Sequence, residues 1–239
     1  MKRTLLVLTA SFLAFGIACK TKRMKGNGNI VTENRTVSNA RKIKLSDNFD
    51  VTLVPGNTTQ IAIVADENLI PYIETTYEDN FLVIKENKHT NLVASENISI
   101  QITTPTLEAV SITGTGNVVG KGKFSGADQL KLSIAGSGDI TLAVNTPKVI
   151  ASIAGSGNIT VTGETKDNEI HISGSGDYHS DGLKAENGEV HIAGNGDVTI
   201  FADQKLDIHI AGQGDVSYKG SPKISKKIAG NGEIKPLVE

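Results

Sequence analysis

From residue 30 onward the chain alternates apolar and polar positions in short runs. "FDVTLVPG", "TQIAIVA", "NFLVIKEN" and "ISIQITTP" come first, and "LKLSIAGSGDITL" opens a second kind of pattern. A period of two predicts strands with one buried face. A single Ala-Gly-Ser-Gly-Asp between two such runs would read as a hairpin tip. Here the motif recurs, in "VSITGTGNVV", "ASIAGSGNITV", "IHISGSGDYH", "VHIAGNGDVTI", "IHIAGQGDVSY" and "KKIAGNGEIK". Its first glycine falls at Gly114, Gly136, Gly155, Gly174, Gly194, Gly212 and Gly230, in steps of 22, 19, 19, 20, 18 and 18 residues. Strands repeating at such a period, with no helical rhythm, predict the coils of a β-solenoid.

Two residues before that glycine stands isoleucine in every copy: Ile112, Ile134, Ile153, Ile172, Ile192, Ile210 and Ile228. Four residues after it come Val118, Ile140, Ile159, Tyr178, Val198, Val216 and Ile234. Stacked coils bring like positions into register about 4.8 Å apart, so both series predict continuous internal columns. The glycines then mark a corner, where positive φ costs them nothing. The Asn or Asp that follows tolerates left-handed geometry and bonds to nearby backbone. The expected fold is all-β, a parallel β-helix with right-handed crossover as the default hand.

Residues 30–106 are β-rich but lack the repeat, and are expected to form an N-terminal cap continuous with the solenoid of residues 107–239. Solenoids need protected ends. "DENLIPYI" predicts a single helical turn, and "IKPLVE" a short terminal closure.

Composition sharpens this picture. There is no Trp, 25 of 239 residues are glycine, and the net charge of −2 gives no pull toward nucleic acid. Residues 1–19 read as an export signal: Lys2 and Arg3, an apolar core from Thr4 to Gly16, and "GIAC". Cys19, the single cysteine, stands where a lipoprotein signal carries its acylated residue, although Gly16 occupies the site where Leu is usual. The alternatives are ordinary secretion or a free buried cysteine. With acylation, residues 20–29, including "KTKRMK", become a basic tether beside anionic headgroups, and the membrane becomes a partner.

Three outward series could carry chemistry. His171, His191 and His209 stand three residues before their corner glycines and would stack on adjacent coils, where imidazoles could share zinc or nickel. A plain polar row is the alternative. Asp177, Asp197 and Asp215 offer carboxylates for calcium, but the calcium-binding nonapeptide solenoid needs a longer glycine motif than this corner. Turn-stabilising Asx residues are the alternative. Ala135, Ala154, Ala193, Ala211 and Ala229 face outward just before the corners, where Ala is a poor strand former. They read either as clearance at a tight bend or as a packing stripe for another chain.

The "G-x-G-[ND]-[IV]" array, with "NGNIVTENRTVS", "FDVTLVPG", "ADENLIPYIETTYEDNFLVIK" and "GDVSYKGSPKISKKIAGNGEI", resembles the bacterial head GIN domain family of auto-transporter adhesins over roughly Gly26 to Ile234. The resemblance implies a right-handed β-helix of pectin-lyase-like shape, on exported and often lipid-anchored proteins, with a role in adhesion. It brings no catalytic residues. The expectation is a non-catalytic cell-envelope lipoprotein, anchored in the outer membrane, without a cofactor and with an adhesin-like head for a protein or surface ligand. The alternative is a structural or regulatory envelope protein that forms homo-oligomers through the alanine stripe.

Overall fold

The computed structural model describes residues 21–237, so the export-signal region and Cys19 lie outside the described residues. The described chain is nearly all strand and contains no α-helix; its parallel coils stack into a β-solenoid. On the first face, Leu130–Ile134, Lys148–Ile153, the second half of Ile159–Ile172, the second half of Leu183–Gly194, Lys205–Gly212 and Lys223–Gly230 pair in parallel, each with the next. The isoleucines meet in one register: Ile112, Ile134, Ile153, Ile172, Ile192, Ile210 and Ile228. On the second face Val118, Ile140, Ile159, Tyr178, Val198, Val216 and Ile234 do the same. Each column residue below the last coil is buried, which stabilises the fold by roughly 1.5–3 kcal/mol per side chain.

Both columns continue below residue 107. Leu45 pairs under Ile112 and Ile84 under Leu45; Val51 pairs under Val118 and Ile100 under Val51. Chain order and spatial order diverge there. The coil of Lys42–Leu45 and Asp50–Pro55 lies between that of Phe81–Glu86 and Ser99–Thr104 and the first Gly-x-Gly coil. Antiparallel strands close this end: Ile73–Glu78 against Phe81–Glu86, Gln60–Asp66 against Ser99–Thr104, and Ile30–Thr36 outside that. The turn within "DENLIPYI" is a 3-10 turn at Ile70–Tyr72. The segment read as a basic tether carries the strand Lys22–Lys25, paired in parallel with Thr90–Val93.

The corners explain the glycines more fully than positive φ does. Gly194 has φ of 156°, but a Cβ there would lie 2.1 Å from the carbonyl oxygen of Gly174 one coil below. At Gly196, which has no such φ, a Cβ would lie 2.1 Å from the oxygen of Gly176. Coils therefore touch backbone to backbone, and the Asn195 N–H donates to the Gly174 carbonyl at 2.9 Å. The Asx residues act across coils too. Asp177 Oδ1 accepts from the Asp197 N–H, Asp197 Oδ1 from the Asp215 N–H and Asp215 Oδ1 from the Glu233 N–H, all at 2.8 Å. None of them adopts positive φ, so the expected left-handed geometry is corrected to an inter-coil cap.

Buried polar groups interrupt the apolar interior, and each finds a partner. The Tyr178 hydroxyl donates to Asn168 Oδ1 at 2.9 Å, and Asn168 Nδ2 donates to Ser180 Oγ at 3.1 Å. In the cap, Asp66 is fully buried and accepts from Ser95 Oγ, the Ser95 N–H and the Gly28 N–H. The Ser95 hydroxyl, ahead of the opposing effect of burial, holds the Asp66 carboxyl below its ordinary range.

The far end has no covering strand among the described residues, and its sequence changes accordingly. The inward column Val110, Leu132, Ala151, Ile170, Val190, Ile208 ends in Lys226. Pro236 ends the second face, and Ile228 is 38% exposed. An inward lysine and an edge proline are means of blocking strand addition.

Three outcomes are expected. Gly194→Ala or Gly196→Ala should lower unfolding free energy by more than ~1 kcal/mol in denaturant titration, because the Cβ meets a carbonyl. Lys226→Ile should produce a concentration-dependent rise in mass by light scattering, where the parent protein does not change. Asp66 has a lowered folded pKa, so its contribution is complete above the ordinary aspartate value of about 3.9. That contribution is lost as pH falls through the folded value. Thermal midpoints of Asp66→Asn should therefore fall less steeply than those of the parent between about pH 5 and 2.

Candidate functional site

The strands of the upper first face present outward rows as well as inward columns. His171, His191 and His209 occupy equivalent positions on three adjacent coils, followed by Lys227. Their rings stack, with centroids 5.1 and 4.9 Å apart and planes within 11° and 6° of parallel. The strand spacing sets this distance, and the shared rotamer makes the three rings one continuous stack.

Two residues upstream on each strand runs an acidic row, Glu169, Glu189 and Asp207. Glu169 Oε1 and Glu189 Oε1 each lie 2.8 Å from Nε2 of the histidine on their own strand. A carboxylate acceptor there makes Nε2 the protonated nitrogen and leaves Nδ1 as an acceptor in the neutral ring. Lys148 closes on Glu169 Oε2 at 2.7 Å, and Lys205 pairs with Asp207. The hydrogen bond from His171, then that from Lys148, holds the Glu169 carboxyl below its usual range. Lys205 does the same for Asp207. The acidic row went unread in the sequence although its signal is there, as "EIHI", "EVHI" and "DIHI".

On the other side of the histidines lies the small-residue row. Ala193, Ala211 and Ala229 are in register, and with Ser173 they are exposed. Ala135 and Ala154 are exposed at the same corner position of lower coils. Tall imidazoles beside short methyl groups create a groove of about 460 Å³ lined by His171, His191, His209, Lys227 and the row Ser173, Ala193, Ala211, Ala229, with mostly apolar walls. It crosses the strands, along the solenoid axis. An extended molecule could lie in it, meeting the same groups on each coil.

The ion readings fare differently in this geometry. Near-parallel rings about 5 Å apart hold like nitrogens at that separation. A zinc ion with bonds of about 2.0–2.1 Å spans at most about 4.2 Å between two nitrogens. Asp177, Asp197 and Asp215 each give one oxygen to the amide of the coil above. Among the described residues, no group of three His, Cys, Asp or Glu side chains is placed to hold a metal ion.

Comparison with solved structures aligns this fold with those of several bacterial proteins. A "putative adhesin" from Bacteroides fragilis matches at 26% identity and a TM-score of 0.80, covering 90% of this chain and all of that one. A "putative lipid binding protein" from Parabacteroides distasonis matches at 26% identity and a TM-score of 0.72, covering 91% of this chain and all of that one. A "putative adhesin" from Parabacteroides merdae, at 22% identity and a TM-score of 0.70, shares the fold over 91% of this chain. No functionally curated protein matches. The family model described as "Putative auto-transporter adhesin, head GIN domain" matches residues 39–222, which is most of the chain. The chain therefore belongs to the head GIN domain family.

Proposed function

We propose that this protein is an exported, lipid-anchored envelope protein whose solenoid is a non-catalytic binding head, and that an extended partner lies along the groove between the histidine and alanine rows. The groove is the observation that carries this reading. Its groups repeat at strand spacing along a rigid rod, a surface suited to elongated or repetitive partners. The Nδ1 acceptors and Lys227 would set the partner's orientation, while the methyl row supplies apolar contact. The family's adhesin description, and an export-type N-terminus ending in Cys19, support an envelope location.

The lipid-binding description of the Parabacteroides distasonis structure favours a second reading, in which the groove takes an acyl chain and Lys227 its anionic end. Self-assembly through the alanine row is a third use of the same surface. One variant separates the three. Ala193→Arg places a long cation in the groove without touching the inward columns. Under the binding reading the parent is monomeric by light scattering, external protease digests the head on intact cells, and Ala193→Arg reduces cell attachment to glycoprotein-coated surfaces by about tenfold or more. A fluorescent fatty acid that brightens with the parent and not with Ala193→Arg would favour the acyl-chain reading. An oligomeric parent that Ala193→Arg disperses would favour assembly. A head fully protected on intact cells contradicts outward adhesion.

A further inference from the structure

From Lys22 onward the chain is folded against the N-terminal end of the solenoid, not slack. The Lys22 N–H donates to the His89 carbonyl at 2.6 Å, the strand Lys22–Lys25 pairs with Thr90–Val93, and the Gly26 N–H closes the pairing on Val93 at 2.9 Å. Asn68 then clamps the turn, its Nδ2 donating to the Lys25 carbonyl at 2.8 Å and its Oδ1 accepting from the Asn27 N–H at 2.9 Å. The Gly28 N–H reaches the fully buried Asp66 carboxylate at 2.7 Å. Only three Cα steps separate Cys19 from Lys22, a reach of at most about 11 Å even when fully extended. That is close to the distance of about 8–10 Å over which salt screens a charge.

The surface placed there is basic. Lys22, Arg23 and Lys25 are exposed on the strand, and Lys88 is exposed in the turn that leads into its partner. Among the described residues none of these four forms an ion pair. The partner strand Thr90–Val93 contributes no charge of its own. We propose that the edge formed by Lys22–Lys25 and Lys88 is a membrane-docking surface that seats the N-terminal end of the solenoid directly on an anionic bilayer. This rests on the reading that Cys19 is acylated. The shortness of the link fixes which end meets the headgroups, and the four cations add electrostatic attraction to an anionic surface on top of the lipid anchor. The stack does the rest: eight inter-strand steps of roughly 4.8 Å put the Lys223–Gly230 strand roughly 38 Å from Phe81–Glu86. The groove on the upper coils is thereby held clear of the surface without a flexible stalk.

The mature acylated protein, reconstituted in phosphatidylethanolamine–phosphatidylglycerol vesicles with a nitroxide on the headgroups, tests the orientation. With Cys19 acylated, a cysteine introduced at Asn91→Cys or Asn231→Cys is the only free thiol for a fluorophore. Quenching at position 91 and not at 231 is expected. Equal quenching at both, or none at 91, overturns the proposal. The mass of the mature protein reports acylation separately. Independently of the anchor, the soluble chain beginning at Lys20 should co-sediment with phosphatidylglycerol vesicles and not with phosphatidylcholine ones. Affinity should fall about fivefold per cation removed, and several hundredfold in Lys22→Gln, Arg23→Gln, Lys25→Gln, Lys88→Gln combined. Unchanged affinity in that variant overturns the surface even if acylation is confirmed.

Discussion

The structure depends on how closely one coil can approach the next at its corners. Where the chain turns, a glycine carbonyl lies about 2 Å from the point that a Cβ of the coil above would occupy, as Gly174 does beneath Gly194. That contact, with the amide and Asx hydrogen bonds running beside it, sets the Gly-x-Gly coils at one height and one phase. The isoleucine column is a consequence. A slip of one residue would turn the column outward and carry the polar rows into the core. The same phase puts three imidazoles in a stack and three methyl groups in a line. Surface chemistry on this protein is therefore dictated by a backbone packing constraint.

Much of this was legible in the sequence because the repeat states it several times over. The isoleucine at a fixed offset from glycine gave the columns, and a period near 20 residues gave the coils. Two things were less visible. The lower coils use the same columns, Ile84 under Leu45 under Ile112, but their corner at Asp47–Phe49 carries no Gly-x-Gly, and their spatial order differs from their order in the chain. Periodicity along the sequence cannot register a coil inserted between two others. The acidic row was missed for another reason. Glu169, Glu189 and Asp207 are exposed or half-buried residues of ordinary strand alternation; side-chain geometry alone shows that the two glutamates bond the histidine of their own strand while Asp207 pairs with Lys205. The Asx residues were recognised as corner elements, but a bond from one coil to the next has no signature within a single copy.

The two ends of the rod differ in a way that fits a head held at one end. The N-terminal coils are closed by antiparallel strands and carry the cationic edge beside the chain's exit. The last coil places Lys226 where every lower coil has an apolar residue and finishes in Pro236, features that discourage end-to-end stacking. Between them the histidine and alanine rows form the mostly apolar groove, on the coils farther from the basic edge. A cationic base, a blunted tip and a lateral groove together describe a display rod more readily than a filament subunit.

Disulfide trapping in pairs tests the coil arrangement most directly, in a chain whose one native cysteine lies at position 19. Thr141 and Thr160 face each other on successive coils, at a strand spacing of about 4.8 Å that a disulfide can bridge. Ser133 and Thr141 would face each other if Gly136 to Gly138 were the tip of an antiparallel hairpin. Cysteines at 141 and 160 should oxidise rapidly in the folded protein, while those at 133 and 141 stay free. The opposite result would dissolve the columns, the groove and the stacked rows together.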